Sequence, residues 1–157
     1  MKLERYSTEE EKLEAVRKSP YNIQYIKNPS KEIQLEAVKQ NGYAIKYIKN
    51  PSKEIQLEAV RQNGYAIQYI KNPSEEMQLK AVKQDGLAIQ YIKNPSKEIQ
   101  LAAVKENGNV IQYIKTNNDE IILTALETAN EDSIWVFLAN NDYESFSDEV
   151  KLAIQLR

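Results

Sequence analysis

Apolar residues recur along this chain at spacings that a strand would not produce. Within residues 30–40, Ile33, Leu35, Ala37 and Val38 sweep about 200° of a helical wheel. Within residues 43–49, Tyr43, Ala44, Ile45, Tyr47 and Ile48 cover a similar arc. Period-two alternation does not persist, and Glu, Lys, Gln and Ala outnumber β-branched residues, so the spacing predicts two short helices rather than strands. Helices this short are unstable alone. Arcs this wide suit helices packed against a partner and against neighbours on both sides.

The pattern repeats. Residues 28–49, NPSKEIQLEAVKQNGYAIKYIK, are followed at once by NPSKEIQLEAVRQNGYAIQYIK at 50–71, with two positions changed. Ser30, Ser52, Ser74 and Ser96 mark a period of 22 residues, which Thr8 and Asn118 extend at either end. A fixed period in the twenties is the signature of a solenoid, whose units bury their apolar faces only by stacking. The predicted fold is therefore all-α: an α-solenoid of about six 22-residue two-helix repeats, closed by a terminal half repeat at 147–153.

Local signals agree. The first helix can be capped by Ser30, or by Asn28 with Pro29 at the first helical position. Asn41-Gly42 ends it, with Gly42 expected in the left-handed conformation. The next Asn-Pro stops the second helix. Gln34, Gln56, Gln78 and Gln100 fall inside the apolar arc, and each amide is expected to bond a backbone group in the next repeat's turn.

Both ends depart from the pattern as capping units do. Glu11 replaces the recurrent Ile and Pro20 the recurrent Gly. After Lys115 the repeat frays: Ile121, Leu123, Ala125 and Leu126 keep the first-helix pattern, and Trp135-Val136 takes the place of Tyr-Ile. One continuous domain is expected, with near-identical repeats and an N-terminal cap over residues 1–115 and divergent acidic capping repeats over 116–157.

At AVKQNGYAI, residues 37–45, and its copy at 59–67, the chain resembles an uncharacterised family of short α-helical repeats of the form AVxxNGxAL in bacterial and phage proteins. More distantly it is similar to leucine-rich repeat variants, which stack short helices into a superhelix. The resemblance implies a solenoid without a catalytic site. Its phage occurrence implies a small protein that binds and blocks a bacterial defence component. Tyr47 and Tyr69 stand where that family often has a smaller residue.

Charge changes the picture more than composition does. The net charge of −2 conceals 19 Lys and Arg against 14 Asp and Glu in residues 1–115, and 2 against 9 in residues 116–157. A basic body and an acidic cap suggest a second possibility, a homo-oligomer built head to tail. Cys and His are absent. Thiolate and imidazole metal sites, disulfides and His-based nucleophile arrangements are thereby excluded. Four Gly leave no phosphate-cradling loop. Asp119-Glu120 and Glu131-Asp132 are sequence neighbours that do not face each other on a helix, and Asp142, Glu144, Asp148 and Glu149 lack the spacing of an EF-hand. No enzyme, cofactor or metal is expected. The charged start and the lack of a long apolar run lead to the expectation of a cytoplasmic protein with no membrane partner.

The candidate binding residues fall in columns. Lys27, Lys49, Lys71, Lys93 and Lys115 form one basic column, with a second through Arg17, Lys39, Arg61, Lys83 and Lys105. They are a possible footprint for a nucleic-acid backbone, although cations at helix C-termini also offset the helix dipole. Acidic Glu10, Glu32, Glu54, Glu76, Glu98 and Glu120 run near the helix N-termini and oppose a polyanion unless they lie elsewhere. Tyr21, Tyr43 and Tyr65 sit at the edge of the arc, where they either pack between repeats or serve as candidate contact residues, whereas Tyr25, Tyr47, Tyr69, Tyr91 and Tyr113 are assigned to the core. Trp135 and Phe137, among the carboxylates of the cap, either grip a basic partner or close the core. The expected function is protein binding by occlusion or scaffolding, through a partner whose identity the residues do not give, with specificity in residues 116–157.

Overall fold

Each repeat begins where a short side chain answers an unsatisfied backbone N–H. In the computed structural model, which describes residues 8–157, the Oγ atoms of Ser30, Ser52 and Ser96 accept from the backbone N–H of Ile33, Ile55 and Ile99 at 3.4 Å. They cap α2 (Lys31–Gln40), α3 (Lys53–Gln62) and α5 (Lys97–Glu106). Ser74 does the same for Met77 in α4 (Glu75–Gln84) at 3.3 Å. Thr8 caps α1 (Glu9–Lys18) in a reciprocal box with Glu11. The exposed Glu11 that replaces the recurrent Ile is thus a capping residue.

Asn28 is not the cap. It and its copies Asn50, Asn72 and Asn94 adopt positive φ, between 49° and 56°, the left-handed turn that Asn tolerates better than most residues. They reverse the chain ahead of each serine. Gly42, by contrast, is not left-handed, and no glycine has positive φ. Its role is close approach: a Cβ there would run into the Ala59 carbonyl oxygen of the next repeat's helix, and one at Gly86 would lie 2.7 Å from that of Ala103.

The second element of each repeat is helical, but of the tighter 3-10 type: Pro20–Tyr25, Gly42–Tyr47, Gly64–Tyr69, Gly86–Tyr91 and Gly108–Tyr113. An Asn or Asp side chain opens the last four by accepting from the N–H two residues on. Three residues per turn put Ile45 and Ile48 on one line with Gly42, and all three are buried. Tyr47 then lies to one side of that line. It is 39% exposed, and Tyr25, Tyr69, Tyr91 and Tyr113 are exposed likewise. Their assignment to the core, made at 100° per residue, fails because the helix turns about 120° per residue.

The glutamines also bond differently. Gln34, Gln56, Gln78 and Gln100 each donate Nε2 to the carbonyl of Pro29, Pro51, Pro73 and Pro95 at 2.9 Å. The partner is the turn that opens the same repeat, five residues back, so the amide braces its own hairpin.

The chain forms two compact units, Met1–Lys80 and Ala81–Arg157. In the first, α1, α2 and α3 pack side by side, and the 3-10 helices 20–25, 42–47 and 64–69 form a second row against them. Ile33, Ala37, Val38, Ile45, Ile48 and their copies are buried between the rows. In the second unit the 3-10 helices 86–91 and 108–113 pack on each other, and α5 packs on α6 (Asp119–Leu126). The pattern then changes. Position 130 is Asn rather than Gly, and its Oδ1 accepts from Ser133 N to cap a ten-residue α-helix, α7 (Glu131–Asn140). The short 3-10 helix Tyr143–Ser145 leads to α8 (Asp148–Gln155), capped by Ser147 and packed on α6. Among the described residues the fold is all-α, a solenoid of two-helix repeats ending in a single helix. None of the described helices is long and apolar enough to cross a membrane.

Candidate functional site

Two surfaces carry the residues singled out in the sequence. The first is the 3-10 row of the first unit. Because Tyr21 and Tyr43 lie on one side of each 3-10 helix and Tyr47 and Tyr69 on the other, neighbouring repeats interlock. Tyr21 meets Tyr47 edge to face at 6.1 Å between ring centroids, and Tyr43 meets Tyr69 in the same way at 6.1 Å. The Tyr21 hydroxyl accepts from Asn41 Nδ2 at 2.9 Å. Tyr43 and Tyr65 are half-buried and Tyr21 exposed; Tyr21 and Tyr43 pack between repeats as one half of a double row.

Lys46 is one of the two positions that differ between the copies at 28–49 and 50–71, where Gln68 replaces it. Its Nζ lies 5.7 Å from the Tyr47 ring centre and 5.9 Å from that of Tyr69. Lys27, Lys49 and Lys71 are exposed in the connections two residues after Tyr25, Tyr47 and Tyr69. The other changed position, Arg61, makes a two-pronged contact with Glu58, Nε to Oε2 and Nη2 to Oε1 at 2.9 Å each. That contact holds the Glu58 carboxyl below its usual range, against the opposing push of partial burial, with the Gln62 amide assisting.

The acidic column belongs to the α row. Glu54 pairs with Lys31 and Glu120 with Lys97, each across adjacent repeats, and the Lys97 hydrogen bond holds the Glu120 carboxyl low. No Asp or Glu occurs in residues 19–31, 41–53 or 63–74, the segments that contain the first unit's 3-10 helices and the lysines after them.

The second surface is α7. Ser133, Ile134 and Phe137 face inward, and Phe137, 2% exposed, stacks on buried Phe146 at 5.6 Å. Phe137 is therefore a core residue and cannot contact a partner directly. Trp135 is 69% exposed and Val136 is exposed beside it. Glu131 and Asp132 stand four and three residues before Trp135, hence on its face of the helix, and both are exposed. The sequence suggested that Trp135-Val136 stands in for a buried Tyr-Ile pair. The change from 3-10 to α-helix turns Val136 out of the core.

Lys93 and Lys115 of the basic column lie in the second unit and are exposed. Lys115 lines an open depression of about 270 Å³ with Thr116, Asn117, Asn141, Asp142 and Ser145. Its polar groups bond one another, Thr116 N to Asn141 Oδ1 and Ser145 Oγ to Asp142 O. Among the described residues no group of three His, Cys, Asp or Glu is placed to hold a metal.

The double tyrosine row was missed because it depends on the 3-10 pitch. The Asn-Gly to Asn-Pro interval limits the second element to eight residues, a length that α6 and α8 show is open to an α-helix as well, so it did not announce the tighter pitch.

Comparison with protein families places residues 12–51 and 30–73 in similarity to a domain of unknown function, DUF4116. Both matches lie in the repeated body and overlap, as a tandem repeat allows. No curated protein and no solved structure matches.

Proposed function

We propose that the chain is a non-enzymatic protein-binding solenoid that acts by occlusion or scaffolding, with partner choice in the divergent residues 116–157. Trp135 carries this reading. A tryptophan 69% exposed on a capped ten-residue helix leaves a large apolar surface in water. Tryptophans of this kind are the residues most enriched among binding hot spots. The carboxylates of Glu131 and Asp132 beside it select a partner with a cationic rim around an apolar pocket. The near-identical repeats supply a scaffold rather than a code, since an irregular partner is read by positions that differ. A phage-encoded blocker of a bacterial defence component, the role implied by the AVxxNGxAL resemblance, is one protein of this design.

The test is capture from a native-host lysate with the intact chain and with Trp135→Ala. A partner held by the intact chain should bind the variant at least about 30-fold more weakly, the effect of losing a 2 kcal/mol anchor, with an unchanged melting temperature. Equal capture by both proteins rejects the reading of α7 as the contact surface.

A further inference from the structure

A second surface belongs to the first unit. We propose that the 3-10 row spanning residues 20–71 binds single-stranded nucleic acid, with bases stacked on the tyrosines and phosphates met by Lys27, Lys46, Lys49 and Lys71.

The charge distribution leads to this assignment. Across the unit's two rows the carboxylates are confined to the α-helices, whereas residues 19–31, 41–53 and 63–74 contain none. Within α2 and α3 the charges balance: Lys31, Glu32, Glu36 and Lys39 in one, Lys53, Glu54, Glu58 and Arg61 in the other. Between Tyr21 and Lys71, the segments outside the α-helices thus carry Lys27, Lys46, Lys49 and Lys71 and no acid of their own. The acidic column that argued against a polyanion sits on the α-helices, and one of its members, Glu54, is engaged with Lys31.

Aromatic geometry adds the second half of the argument. Rings of Tyr25, Tyr47 and Tyr69 recur once per repeat, exposed, each with a lysine two residues on. Edge-to-face contacts with Tyr21 and Tyr43 brace Tyr47 and Tyr69, so little side-chain freedom remains to be lost on binding. Cationic grooves lined by stacking rings hold single strands with little regard to sequence, because every base offers a π-face. Identical repeats are a poor device for reading an irregular protein, but they fit a ligand that is itself periodic. An acidic peptide would meet the lysines and leave the regular rings unexplained.

The test uses the whole chain, a labelled thymidine homopolymer, a duplex of equal length and a poly-glutamate peptide of matched charge, with binding read by anisotropy at low salt. The single strand should bind best. Its log affinity should fall against log salt with a slope of about −3, from four lysines each releasing about 0.7 counterion. Tyr47→Leu should weaken binding about ten-fold, the typical effect of one lost stacking platform. Two further variants guard against misfolding because the chain already uses them: Lys46→Gln copies Gln68, and Tyr43→Leu copies Leu87. Lys46→Gln should reduce the slope by about 0.7. Absence of binding to the homopolymer at low salt overturns the proposal. So does equal binding of poly-glutamate, tighter binding of the duplex, or an unaltered affinity in Tyr47→Leu. Protein capture by Trp135 is untouched by any of these results, so the two surfaces fail or stand separately.

Discussion

The repeats at 28–71 and the terminal elements at 118–155 begin alike and end differently. Both open with a capped α-helix bearing an acidic first turn. In the repeats, the α-helix runs ten residues to an Asn-Gly, the Gly slides under the next repeat's helix, and a 3-10 helix follows. In the terminal region α6 stops after eight residues, Asn130 replaces the Gly, and the following ten residues wind into an α-helix. The interval from Asn118 to Ser147 is 29 residues, against 22 between earlier caps. One glycine position thus separates two ways of using the same chain: a tight step that can be repeated, and a longer helix that shows a tryptophan to solvent.

The largest expected effect lies in the repeated core. Ile55 is 1% exposed and sits where α3 meets its neighbours. Ile55→Ala should cost about 2–5 kcal/mol, the range for truncating a buried aliphatic side chain. Leu152 occupies the repeat's Leu position in α8 but is 55% exposed. Leu152→Ala should change stability by less than about 0.5 kcal/mol. Chemical denaturation of both variants checks the contrast. Similar losses would mean that the last helix is packed as the repeats are.

How far the sequence reveals this contrast depends on which property each position reports. The period, the two helical elements per repeat, a cap at either Asn28 or Ser30 and the buried Ile33, Ala37, Val38 and Ile45 are all local or periodic signals, and reading them needs no knowledge of neighbouring repeats. Gly42 was legible as special but not for the right reason, since a backbone carbonyl 17 positions further on decides it. The outward tyrosines were hidden by an assumed 100° pitch. Phe137 and Trp135, two residues apart, were read together, yet a helix sends them to opposite sides, one buried and one exposed. The charge segregation between rows was present in the letters, but it became a surface property only once the 3-10 helices were seen to stack on one another.

An exchange of the two residues at the divergent step gives the next effect in size. Gly42→Asn places a side chain against the Ala59 carbonyl oxygen. It should cost about 1–3 kcal/mol through overpacking, or a fall of roughly 2–10 °C in melting temperature at this chain length. Asn130→Gly removes a cap whose Oδ1 bonds Ser133 N at 2.9 Å, yet Gly is itself tolerated at that position, and the loss should be only a few tenths of a kcal/mol. Thermal melts of the two variants settle the comparison. A larger loss at Asn130 than at Gly42 would show that close approach is not what the glycine column is for.

The smallest effect concerns Arg61, one of the two residues by which the copies differ. Its guanidinium grips Glu58 at 2.9 Å through two nitrogens and holds that carboxyl below its ordinary value of 4.5. A carboxyl whose folded value is depressed contributes stability that is complete above the unfolded value. That contribution drains away as pH falls through the depressed folded value. Arg61→Lys restores the residue found at Lys39 and breaks the two-pronged geometry, because an ammonium presents no planar fork. The variant should melt slightly below the parent at neutral pH, and the difference should close as the medium is acidified below about pH 4.5, the ordinary value for the free carboxyl. The pair is largely exposed on its Arg side, 58% by side chain, so the gap should also narrow with added salt. A gap unchanged across the acid range would assign the difference to packing of the longer guanidinium stem rather than to its charge.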